Sequence, residues 1–221
     1  MPEINIELTP ETQKQFSEGN WSLYGFKAVS AGGATNGRPV VWFGTSDLLE
    51  TVTVDWQESY GTFIATGHEI PSGVIKTSTK RDIKLGQVMT VSAKGSVSLS
   101  TTNAVAGSIS VKSEATKLYT TGVSQTNVNG EMLPIAAFPL HGQTTVVMKP
   151  MNIVLLTFAN TDLSNSLVKE TAIAKSVIVD MTENAKPVNI GYTINVGWDT
   201  RGLTNVEHVE TNADIVGKLI L

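Results

Sequence analysis

The chain has 221 residues, 41% of them apolar and 16% charged, with a formal net charge of -4 at pH 7. This content supports one large all-β domain or two small ones, and the lack of a basic stripe argues against a nucleic-acid partner. With no cysteine, a disulfide framework, a thiol nucleophile and a cysteine-based metal site are excluded. Ser, Thr, Asn and Gly stand in for the missing charge, which suits solvent-facing strand positions and tight turns better than exposed helix faces.

The amino terminus, "MPEINIELTPETQKQ", has no basic patch followed by an apolar run. The expectation is a cytoplasmic protein, or one released without a classical signal peptide. One short helix is predicted just downstream. Thr9 can cap its free amides, Pro10 suits the first helical position, Glu11 favours the positive end, and Gly19 can stop it. Asn20 opens an "NWS" glycosylation pattern that carries no weight without a signal sequence.

From there the period is two. Strands are predicted near 22–29, 39–44, 51–56 and 60–66, with "TVTVDW" placing Val52, Val54 and Trp56 on one face. Most of the aromatic residues fall in this first third. Trp42 and Phe43 are adjacent, so a strand would send them to opposite faces; Tyr60 and Phe63 oppose each other likewise. One ring of each set is expected to be exposed or to lie in an interface, where it could stack on a sugar, meet a lipid headgroup or anchor another subunit. Trp42, Tyr60, Trp21 and Tyr24 are the candidate ligand or interface residues.

A polar, turn-rich stretch at 67–85 marks a weak candidate boundary within what otherwise reads as one domain, 1–221. Its cluster of Lys76, Lys80, Arg81 and Lys84 reads as a solvated loop. A strand near 86–93 precedes "GSVSLSTTNAVAGSISVKS", residues 95–113, in which two alternating segments flank a loop and read as a hairpin. Val97, Leu99, Ile109 and Val111 would form its apolar face. The stretch resembles the Ser/Thr-rich ribbons of aerolysin-type pore-forming toxins, over fewer than a tenth of the residues. That resemblance implies a ribbon within 86–125 that inserts into a membrane. The same alternation fits a half-buried sheet.

Further strands are predicted near 117–125, 143–149, 152–159 and 175–181. "NIVLLTF" and "SVIVDM" are apolar at consecutive positions, as in strands covered on both faces. "VNIGYTINVGW" reads as one strand with Val188, Ile190, Tyr192, Ile194, Val196 and Trp198 on a common face. The terminal "ADIVGKLIL" is apolar enough to need a partner, its own sheet or a neighbour's. The resulting fold is all-β, a sandwich of mainly antiparallel strands with a short N-terminal helix.

Catalytic patterns are scarce. His68, His141 and His208 lack metal-ligand spacing. Ser166 and Lys169 form a Ser-x-x-Lys match without its companion motifs, and no nucleophile elbow, phosphate loop or dinucleotide fingerprint occurs. The expectation is therefore a protein without cofactor or catalytic residues, which self-associates as a homo-oligomer or binds a glycan or lipid surface. Membrane-active and lectin-like function is the alternative, and a hydrolase with an unrecognised carboxylate pair is the third reading.

Overall fold

A computed structural model describes residues 1–32, 36–67, 70, 72–183 and 186–221. His68 lies outside the described residues. The protein is mostly β, as expected, with mainly antiparallel sheets and one short helix near the N-terminus.

The first sheet has four strands: β1 (Glu3–Leu8), β5 (Thr51–Asp55), β15 (Val188–Thr193) and β16 (Gly197–Asp199), in the order β16-β15-β1-β5. β1 alternates cleanly, with Ile4, Ile6 and Leu8 inward and Glu3, Asn5 and Glu7 less buried. It runs parallel to β15 and antiparallel to β5. The second sheet follows the order β17-β14-β13-β10-β8-β9, made by β8 (Gln87–Val91), β9 (Val97–Ser100), β10 (Ile109–Ser113), β13 (Thr145–Ala159), β14 (Ser176–Asp180) and β17 (Val206–Val209). β2 (Ser22–Ser30) pairs with β13, and β4 (Phe43–Thr45) pairs with β2. The third sheet joins β3 (Arg38–Pro39), β6 (Tyr60–Thr66), β7 (Thr79–Ile83), β11 (Tyr119–Thr126) and β12 (Met132–Leu140), in the order β3-β12-β11-β6-β7.

One continuous apolar cluster runs between the sheets, drawing on Ile4 and Ile6 of β1, Val54 of β5, Met89 of β8, Val123 of β11 and Leu156 of β13. β2, β13 and β14 are covered on their other face too. There Phe26, Leu155 and Ile178 meet Ile215 and Leu219 around helix α2 (Val216–Leu219). This double burial is why "NIVLLTF" and "SVIVDM" are apolar without a break. The C-terminal segment thus finds its partner in its own sheet, and Ala31 N–H donates to the Leu221 carbonyl at 2.8 Å.

Helix α1 (Pro10–Glu18) forms as expected: the Thr9 hydroxyl accepts from Thr12 N–H, and Gly19 ends it. Phe16 anchors the helix, 4.8 Å from the Phe158 ring, which stacks on Trp198 at 5.2 Å.

Four expectations need correction. First, 95–113 is not a hairpin. β8 stands between β9 and β10, antiparallel to the first and parallel to the second. The tight turn lies at 92–96, where Ser92 N–H donates to Ser96 O and Gly95 takes φ +83°. Second, 188–198 is two strands. Tyr192 pairs with Trp198 across a hairpin whose turn exposes Val196 (85%), with Gly197 at φ +96°. Third, Lys80 and Arg81 lie on edge strand β7, paired with Phe63 and Thr62 of β6, not in a loop. Fourth, Trp42 and Phe43 are both fully buried, with rings edge-to-face at 5.3 Å. β4 begins only at Phe43, so strand alternation does not govern the pair.

β12 lies in a segment not predicted as strand. It contains Pro134 and Pro139, yet tolerates them because β12 itself bulges at Ile135, beside Pro134, and β3 pairs only with Ala136 and Ala137.

At Gly122 of β11 the paired strand leaves no room for a side chain: a Cβ there would sit 2.0 Å from Ala136 O. Gly122→Ala is therefore expected to cost about 2–3 kcal/mol in urea unfolding. Gly73→Ala, with open space at its Cβ, should change stability by less than about 0.5 kcal/mol.

Candidate functional site

The alternation of β2, "SLYGFKAVS", sends Tyr24, Phe26 and Ala28 into the outer apolar cluster and Leu23 and Val29 into the main one. Lys27 shares the parity of Leu23 and Val29, so a lysine enters the space between the sheets. Only 1% of it is exposed. Its Nζ lies 4.1 Å from the centre of the Trp56 ring and 5.3 Å from that of Trp42. The two indoles meet edge-to-face, 6.0 Å apart.

Hydrogen bonds hold both rings. Trp42 Nε1 donates to Gln125 O at 3.1 Å, and Gln125 Nε2 donates to Gln57 O at 2.8 Å. Trp56 Nε1 donates to Asn152 Oδ1 at 3.3 Å, and Asn152 Nδ2 reaches Glu58 Oε1 at 3.5 Å. Among the described residues no hydrogen bond or ion pair reaches Lys27 Nζ; only the ring contacts do. Burial lowers the amine's pKa well below the ordinary lysine value, and the Glu58 carboxylate opposes that shift. A buried ammonium without acceptors is costly, so the group moves toward its neutral form.

Beside this layer, Glu58, Tyr60, Asp82, Lys84 and Gln87 line an open cleft of about 420 Å³. Burial and the neighbouring Glu58 push the Tyr60 phenol up to about 12.

Two of the four candidate aromatics, Trp42 and Tyr60, gather here, one against Lys27 and the other beside Glu58. The others do not. Tyr24 is buried on the far face of β2, where its hydroxyl donates to Thr161 O and accepts from Leu163 N–H. Trp21 is half-buried against Phe16, at the rim of a second cleft of about 360 Å³. Of the ribbon residues, Ile109 and Val111 are fully buried in β10, between β8 and β13. Leu99 is 40% exposed, and Val97 is half-buried, on edge strand β9. Ser166 lies in a turn at φ +65° and Lys169 just beyond it, neither on a helix, so the serine–lysine pattern lacks the geometry its chemistry needs.

Sequence reading missed Lys27, Asn152 and Glu58. The available signal was parity: Lys27 occupies an inward position of a strand whose other inward residues are apolar. No family model, curated protein or solved structure matches the chain.

Because the Tyr60 phenol ionises at a higher pH in the fold than in the unfolded chain, the stability it contributes is complete below pH ~10. It is then lost as pH rises through about 12. Phenolate absorbance should show an ionisation near pH 12 that is lost in Tyr60→Phe, and the alkaline fall in stability should be shallower in that variant.

Proposed function

We propose that this protein is a self-associating β-scaffold, working by association rather than turnover, and that copies join through the outer edge of β9. The observation that carries the reading is the chemistry of that edge. Among the described residues, β9 pairs only with β8, leaving its other side open. Its sequence, "VSLS", has neither charge nor proline.

Of the other edges, β4 offers only three residues, and the rest carry charges or proline that usually discourage pairing. β7 bears Lys80, Arg81 and Asp82, β17 bears Glu207 and His208, β5 and β16 end in Asp55 and Asp199, and β3 ends in Pro39. Leu85, Leu99 and Val105, all exposed large apolar side chains, belong to the same stretch of chain. Two β9 edges meeting antiparallel about a two-fold axis would extend the sheet through both copies, with no like charges opposed.

Light scattering after gel filtration, over a range of concentrations, tests this. The expected result is a mass above the 23.6 kDa of one chain, with association weakened at least about tenfold by Leu99→Lys. A wild-type monomer at every concentration would contradict the reading.

A further inference from the structure

We propose that Lys27 and Asn152 join in an intramolecular amide bond that staples β2 to β13 across the core. The positions allow it. Lys27 lies directly opposite Val154 in the antiparallel β2–β13 ladder, and the register is irregular between Pro150 and Val154. Asn152 sits within that irregular segment, two residues from Val154.

The groups that such a reaction needs lie around one indole, the amine over its ring and the carboxamide at its N–H. Lys27 Nζ packs on the Trp56 ring at 4.1 Å, and Asn152 Oδ1 accepts from Trp56 Nε1 at 3.3 Å. Lys27 is a nucleophile once uncharged, and burial pushes it that way. The Trp56 N–H is aimed at the oxygen where negative charge develops, as an oxyanion donor must be. Glu58 Oε1 stands 3.5 Å from Asn152 Nδ2, the nitrogen that has to leave.

The step balances without any co-reactant. Nζ attacks Asn152 Cγ, and the Trp56 N–H steadies the resulting oxyanion. Glu58 accepts the proton released by Nζ and returns one to Nδ2. The Cγ–Nδ2 bond breaks, ammonia departs, and an Nζ–Cγ amide remains. No atom is oxidised or reduced. The product replaces an amine that lacks acceptors with a neutral amide, which removes the cost of a buried ionisable group.

Intact-mass spectrometry of the denatured protein tests the bond. The expected result is a wild-type mass below the sequence mass by one ammonia, about 17 Da. Digestion should yield one branched peptide pair joined at Lys27 and Asn152. Asn152→Ala alters a half-buried side chain and should fold, and Glu58→Gln leaves the cage intact; both should show their full sequence masses. Wild type at full sequence mass would overturn the proposal. So would an ammonia loss that persists in Asn152→Ala, since a cyclised Asn-Gly site such as Asn129–Gly130 would explain it. A loss that persists in Glu58→Gln would overturn the role given to Glu58.

Discussion

A lysine nitrogen held between two tryptophans, in the seam where the sheets meet, is the constraint around which the rest of this structure is arranged. Apolar packing alone would fill that seam with aliphatic side chains, as it does elsewhere in the main cluster. At Lys27 it is filled instead by a cage whose rings are fixed by hydrogen bonds from Trp42 and Trp56 to different elements. Trp42 ties the layer to β11 through Gln125, and Trp56 ties it to β13 through Asn152. The cage therefore couples all three sheets: β2 and β13 from the second, β11 from the third, and the end of β5 from the first.

β13 makes this geometry possible. It is 15 residues long and pairs with β10 near its start and with β2 and β14 further on. A strand that changes partners along its length must adjust its twist, and the irregular stretch between Pro150 and Val154 falls at that change. Such irregularities re-aim side chains, and here the re-aimed side chain is Asn152. The same irregular stretch holds Asn152, whose carboxamide oxygen accepts from the Nε1–H of the indole that packs on Lys27.

Much of this fold was legible in the amino-acid pattern. The helix cap at Thr9, the inward face of β5 and the double burial of β13 and β14 follow from local chemistry that the tertiary structure does not override. The errors arose where pairing is set at a distance. Alternation in 95–113 is real, but it does not say which neighbour each segment chooses. Ile109 and Val111 take a central position, the shorter β9 takes the edge, and the turn at Gly95 joins β9 to β8 instead. In 188–198 the alternation runs through a turn without breaking, so only the positive φ at Gly197 separates two strands from one. β12 was hidden by its prolines, which sit beyond the two residues that β3 pairs, Pro134 next to the bulge at Ile135. Of the candidate site, the aromatic enrichment around Trp42 and Tyr60 was visible. Lys27, Asn152 and Glu58 were not, because they lie far apart in the chain and converge only through strand register.

The most direct test of the account is the state of the Lys27 side-chain nitrogen, read by nitrogen NMR on protein labelled at lysine. The Lys27–Asn152 bond should give an amide-type nitrogen bearing one proton and insensitive to pH, set apart from the other lysines. A free Lys27 amine, whether a three-proton ammonium or its neutral two-proton form, would contradict it.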